Sequence, residues 1–233
     1  MASGAPGIGD GPADNPEPNG SQDNTAKDAK TLAAEVSAAR AHVVAYKVNI
    51  VGTTTKGQYS RTEGCMRATD EAMQGTLQMN GVEFDLISTS GFLYMRGDAQ
   101  AWLATSRANS SQVAAVRGVL AGGKWVRNSR DGQASDLLVD PDAESVTKGA
   151  PTMFHGRHVV PLIKTRGDGK IVTLYVAAQG SPLVFGGSTS KPGTPLSMET
   201  TLEETLVCAV SPPPPELVID GEEFERQLDA IES

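Results

Sequence analysis

No stretch of this 233-residue chain approaches the ~18 consecutive apolar residues of a membrane-spanning helix. The first residues also lack the apolar core of a secretory signal, so the chain as written reads as soluble and untargeted. Positive charge is scarce: 20 Lys and Arg face 28 Asp and Glu, leaving a formal net charge of -8. That balance excludes binding driven by nucleic-acid phosphates, and on average it is repelled by an anionic membrane surface.

Catalytic motifs are missing as well. The chain has no G-x-S-x-G, no P-loop and no G-x-G-x-x-G. His155 and His158 have no third ligand beside them, which argues against a metal. Asp140, Asp142 and Glu144 alternate like a calcium loop but lack its glycine and terminal bidentate acid, and read as a solvated helix start. Ser188 and Lys191 have S-x-x-K spacing, yet the flanking Gly186-Gly187 and Pro192-Gly193 mark a loop instead of the helix start that chemistry needs. No catalytic residue, metal or cofactor is therefore expected, and the chain reads as something other than an enzyme.

What is present is a long alternation of apolar residues broken by turn signals. Residues 1–26 are rich in Gly, Pro, Asp, Asn and Ser and cannot bury enough surface to offset their ordering entropy, so they read as a disordered tether. Residues 27–233 read as one domain. Thr25 with Asp28 resembles a capping box, and Leu32, Val36, Ala39 and Val43 recur at helical spacing, predicting a helix from Lys27 to Val44.

The period then switches to two. Tyr46, Val48 and Ile50 alternate with polar residues until a turn at Gly57, and Tyr59 to Met66 returns as the hairpin partner. Leu77 and Met79 lead into Asn80-Gly81, which suits a type I′ turn, and Val82, Phe84 and Leu86 resume on one face. Ser90-Gly91 turns before a strand from Phe92 to Arg96.

Val113, Val116 and Leu120 predict a short helix stopped by Gly122-Gly123, with a brief strand over Lys124 to Arg127. Ala134 to Val146 reads as one or two helices broken by Pro141. Strands follow over His158 to Lys164, Lys170 to Val176, Pro182 to Phe185 and Ser197 to Val210. Pro212 to Pro215 forces an extended stretch, after which Asp220 and Glu223 can cap a helix carrying Phe224, Leu228 and Ile231.

Strands joined by short turns must be antiparallel, and helices in so few places can cover only one face. The fold class is thus α+β: a curved antiparallel β half-barrel with helices covering its concave face. Any part of the apolar inner face that the helices leave unfilled becomes a ligand site. Period and hydrophobicity place Val48, Ile50, Leu77, Val82, Phe84, Leu86, Leu93, Leu174, Val176 and Phe185 there.

Several segments carry a family resemblance. They are Gly91-Phe92-Leu93-Tyr94-Met95-Arg96-Gly97 followed by Trp102-Leu103, then Gly123-Lys124-Trp125-Val126, Val172-Thr173-Leu174-Tyr175-Val176 running to Gly180-Ser181-Pro182-Leu183, and Pro215-Glu216-Leu217-Val218-Ile219-Asp220. With these the chain, from about Ala29 to its end, resembles the mycobacterial LppX/LprG lipoproteins and, more distantly, the periplasmic carrier LolA. The resemblance implies a LolA-like lipid-binding domain, an extracytoplasmic lipoprotein of the cell envelope, and binding or transport of a lipid or a lipoprotein's acyl chains.

The family's lipidation cysteine is not in the leader. A removed signal and anchor with Met1 supplied, and an ordinary disordered N-terminus, are the two readings of this. In an envelope setting Cys65 and Cys208 are expected to form a structural disulfide, with two buried free thiols as the alternative. A different functional class, a sensor or interaction module binding a membrane-protein partner, is the alternative to the carrier.

Overall fold

The computed structural model describes residues 22–89, 91–105, 113–129 and 146–232. Helix α1 (Ala29–Arg40) opens it, followed by β1 (Ala45–Thr53), β2 (Tyr59–Arg67), β3 (Met73–Met79), β4 (Val82–Thr89) and β5 (Phe92–Arg96). Two short helices, α2 (Ala99–Thr105) and α3 (Val113–Val119), precede β6 (Trp125–Ser129). A second run holds β7 (Val146–Lys148), β8 (Thr152–Phe154), β9 (Arg157–Thr165), β10 (Ile171–Ala177), β11 (Val184–Ser190) and β12 (Ser197–Thr205). A 3-10 turn at Pro215–Leu217 leads into β13 (Val218–Asp220) and α4 (Gly221–Glu232).

All strands join one sheet in the order β13-β6-β5-β4-β3-β2-β1-β12-β11-β10-β9-β7, with β8 pairing β9. The sheet curves without closing into a barrel, and the helices sit on its concave face. It matches the expected half-barrel with one difference: β13 pairs β6 in parallel, Val218 opposite Trp125. Parallel pairing needs a long crossover, and the extended segment after β12 supplies it. That segment crosses the convex face, where Val210 packs with Ala72, Ile87, Tyr94 and Trp125 and its carbonyl accepts from Arg67 Nη1 at 3.2 Å.

Several local elements form as the residues dictate. Asn80 (φ 54°) and Gly81 (φ 79°) take the left-handed conformations that a two-residue type I′ turn requires, so β3 and β4 pair in register from Met79–Val82 back to Met73–Ser88. In the middle of the sheet Gly64 and Gly75 face each other across β2 and β3. A Cβ on Gly64 would lie 2.1 Å from the Gln74 carbonyl oxygen, and one on Gly75 would lie 2.0 Å from that of Glu63. The close approach is possible only because both residues lack side chains.

Other elements differ from expectation. Helix α1 is shorter than Lys27 to Val44: it starts at Ala29 because Asp28, rather than Thr25, is its N-cap, accepting from the Thr31 amide at 2.9 Å and from the Thr31 hydroxyl at 2.6 Å, and it ends at Arg40 with Ala41 as its C-cap. Thr25 instead donates to Asp23, from its amide at 2.9 Å and its hydroxyl at 2.6 Å. Residues 22–26, read from composition as tether, are fastened to the sheet. Asn24 is fully buried, its amide donating to Ala178 O at 2.9 Å and its side chain to Ala177 O at 2.8 Å and Gly180 O at 3.1 Å. Ser188 lies within β11 and not in a loop. β12 stops at Thr205, so Cys208 belongs to the crossing segment and not to a strand. The helices expected over Ala134 to Val146 fall outside the described residues except at Val146, which is in β7; Asp140, Asp142 and Glu144 also fall outside.

Candidate functional site

The concave face is built by alternation along each strand. On β1 the inward positions are Tyr46, Val48, Ile50 and Gly52, and register places Met66, Gly64, Thr62 and Ser60 of β2 beside them. The same rows continue into β3 as Met73, Gly75, Leu77 and Met79, and into β4 as Ser88, Leu86, Phe84 and Val82. In the other direction Val48 meets Leu202 and Ile50 meets Thr200 on β12, Thr200 meets Gly187 on β11, and Gly187 meets Leu174 on β10.

The helices divide this face into two covered ends. At one, Leu32, Ala33 and Val36 of α1 pack on Val160, Leu162, Val172, Leu174 and Val176, all buried. At the other, α2, α3 and α4 cover Phe84, Val126 and Ile219. There Trp102 lies edge-on to Phe84 with ring centroids 5.1 Å apart and also 5.1 Å from Phe224. Between the ends lies a third cluster, Val43, Tyr46, Val48, Met66, Ala68 and Leu202, flanked by Ile50, Met73, Leu183 and Val184, with no residue from α1, α2, α3 or α4. Beside it the inward rows hold small residues, Ser60, Thr62, Gly64, Gly75, Gly187 and Thr200, interspersed with Ile50, Leu77 and Met79.

Nine of the ten expected inner-face residues share this face. Leu77, Val82 and Phe84 belong to the aromatic end, Leu174 and Val176 to the α1 end, and Val48 and Ile50 to the middle. Leu86 and Leu93 follow by register, opposite Met95 and Ser88 respectively. Phe185 is the correction. The β10–β11 register shifts between Tyr175 and Val176, and this bulge turns Phe185 away from Val184's side. Its ring instead lies 4.2 Å beneath the Arg157 guanidinium on the convex face.

Alternation of apolar letters misses the middle of the face. On β2 the inward residues read Ser-Thr-Gly-Met, so their placement is visible only through their partners. Burial pushes the phenol pKa of Tyr46 upward, with the carboxylate of Glu204 adding to the rise and Arg40 opposing it, so this inner hydroxyl stays neutral. Trp102 Nε1 is buried without a partner among the described residues.

The convex face holds a pocket of about 510 Å³, lined by Asn49, Thr201, Lys47, Glu63, His155 and Phe185 among others. His155 Nε2 lies 2.8 Å from Glu199 Oε1, whereas His158 sits on β9 as an exposed strand residue, so the two histidines do not converge. Among the described residues, no group of three or more His, Cys, Asp or Glu side chains could hold a metal. No described helix is long and apolar enough to cross a membrane. Cys65 on β2 and Cys208 are joined as a disulfide, the preferred of the two expected states.

The sequence matches no family model and no curated protein. Several solved structures are similar to it. LprF from Mycobacterium bovis is 12% identical over 79% of this chain and 96% of its own, with a TM-score of 0.47. The MucB chain of the Pseudomonas aeruginosa MucA/MucB complex structure is 12% identical over 76% of this chain and 56% of that one, with a TM-score of 0.39. The lipoprotein LppX from Mycobacterium tuberculosis is 12% identical over 78% of this chain and 98% of its own, with a TM-score of 0.48, so the solved structures that the chain resembles include the mycobacterial lipoproteins to which its sequence segments pointed.

Proposed function

We propose that the protein is a non-enzymatic carrier of the bacterial cell envelope that binds a lipid, or the acyl chains of a lipoprotein, along its concave face. The observation that carries this reading is the middle of that face. Apolar clusters line both ends and a third lies between them, and the inward positions beside that third cluster include glycine, serine and threonine where bulk would otherwise fill the curve. A trough of small residues between an aliphatic and an aromatic end suits a long flexible chain, which gains roughly 0.8 kcal/mol per buried methylene without any designed polar contact. Part of that gain offsets association entropy. The Cys65–Cys208 disulfide agrees with an oxidising compartment.

The test is native mass spectrometry of the protein purified from a lipid-producing host, with solvent extraction of whatever is bound. Stoichiometric lipid is the expected result. Ile50→Arg, which sets a charge on a half-buried inner position, should lose that lipid while retaining its melting temperature. A wild-type mass that stays clean after incubation with envelope lipids would sink the carrier reading and favour the module that binds a protein partner.

A further inference from the structure

The most exposed large apolar residues of the described chain are consecutive. Leu206 is 85% and Val207 76% exposed, while Val44 is 54% exposed. They lie together: Ala45 pairs Thr205 at the end of the β1–β12 ladder, and Val44 and Leu206 are the next positions on either strand. Scattered apolar residues on a surface need no explanation, but a contiguous protruding set does.

This exposure is built in. Thr205 ends β12, and Cys208, three residues on, is bonded to Cys65 of β2. Arg67 of β2 then holds the carbonyl of Val210 at 3.2 Å. The short arc of 206 and 207 is pinned on both sides and cannot fold its side chains back onto the sheet. Next to Val44 in the chain, Val43 is buried in the middle cluster of the concave face together with Tyr46 and Met66. The apolar tip therefore stands at the edge of the sheet face where that cluster ends.

We infer that this tip is a docking element that inserts into the surface of a lipid bilayer and sets the adjoining end of the concave face against it. Area favours a bilayer over a protein. Three aliphatic side chains offer only a few hundred Å², against the ~800 Å² per partner of a stable protein interface. A bilayer needs no matching surface, only apolar atoms that reach below the headgroups. Charge narrows the choice of surface. The neighbouring cations already have acidic partners: Lys47 lies 3.6 Å from Glu203, Arg40 2.8 Å from Glu71 and Arg67 2.6 Å from Asp70. With these paired and the chain at -8 overall, the tip suits a zwitterionic surface and gains nothing from an anionic one. The inference rests on the carrier reading for its purpose.

The experiment uses the full, disulfide-bonded chain with phosphatidylcholine vesicles, and in parallel measures uptake of a soluble fluorescent fatty acid. The wild type should bind the vesicles with an affinity that salt does not change. Combining Leu206→Ser with Val207→Ser should weaken vesicle binding by up to about 1000-fold, at about fourfold for each of the roughly five carbons withdrawn, with fatty-acid uptake and melting temperature unchanged. Val44→Ser should give a smaller loss, and it keeps the test alive if the double variant misfolds. A wild type that ignores the vesicles, or a folded double variant that binds them as well as the wild type, overturns the inference. Uptake that persists in either case leaves the carrier reading standing, whereas absent uptake sinks that reading separately. A dimer that dissociates on the same substitutions also overturns the inference, since the occupant is then a second copy of this chain.

Discussion

The two ends of the concave face are closed by different means. One helix, α1, closes the first end with aliphatic residues alone, Leu32, Ala33 and Val36 on Val160, Leu162 and Leu174. Three short helices close the second around an aromatic trio, Phe84, Trp102 and Phe224. The first helix is anchored at its own ends: Asp28 caps it, and Arg40 in its last turn donates to Ala68 O at 3.0 Å and to Glu71 at 2.8 Å. The second end depends on the far terminus of the chain, because α4 arrives by way of a segment that crosses the convex face from β12 to β6. A long lever thus controls the aromatic end and a local one the aliphatic end.

The sharpest way to break that contrast is Phe84→Ala. Phe84 is fully buried and touches the helices of the aromatic end, so its loss should cost about 3–5 kcal/mol of stability in denaturant unfolding. Amide exchange should rise in α2 and α4 before it rises in α1. Equal loosening of α1 would mean that the two ends form one cooperative unit and that the contrast has no energetic content.

Next in size is the disulfide. Replacing Cys65 and Cys208 together by serine opens a closed loop of sequence separation 143, with a typical cost of about 2–4 kcal/mol, below the ~5 kcal/mol that chain entropy alone assigns to a loop of that length. Because the bond staples the start of the crossing segment, the effect should appear at β13 and α4, not at α1. Protection of the β13–β6 pairing, read from the amides of Val218, Ile219 and Asp220, is the quantity to measure. Unchanged protection there would show that Val210, packed with Tyr94 and Trp125, holds the segment without the bond.

The same contrast explains what could be read from the residues. β1, β4, β5 and β10 are legible because their alternation is carried by Val, Ile, Leu and Phe, and Asn80-Gly81 marks its hairpin by the backbone it demands. The α1 end could be anticipated from Leu32 and Val36 at helical spacing. The aromatic end is only partly legible: α2 spans seven residues and shows too little periodicity to announce itself, although Trp102-Leu103 is among the segments that carry the family resemblance. β13 was hidden since three residues after a proline run carry no period, and its pairing with β6 depends on a crossover that no local pattern encodes. The middle of the candidate site was invisible for a different reason. Small residues there are defined by the bulk they omit, and Gly64 gains meaning only when Gly75 is known to lie across from it. Phe185 was misplaced because a bulge changes the face without changing the letters.

The smallest effect tests the local lever. Asp28→Ala removes the acceptor for the Thr31 amide and hydroxyl, and the loss of this N-cap destabilises the first turn of α1. The hydrogen bonds from Thr31 hold the Asp28 carboxyl below its ordinary value of 3.8. A folded-state pKa below the unfolded one means that the folded chain binds fewer protons, so this contribution is fully present above about pH 4 and fades as pH falls through the lower folded value. Asp28→Ala should therefore destabilise at neutral pH and converge with the wild type in strong acid. Asp70, lowered chiefly by its hydrogen bond from Arg67, titrates the same way in both proteins and cancels in the difference. The loosening should stay within α1 and leave Trp102 and its neighbours undisturbed, which near-ultraviolet circular dichroism reads directly. A changed aromatic signal in Asp28→Ala would show that the capped helix and the aromatic end communicate through the middle of the sheet, where the candidate trough lies between them.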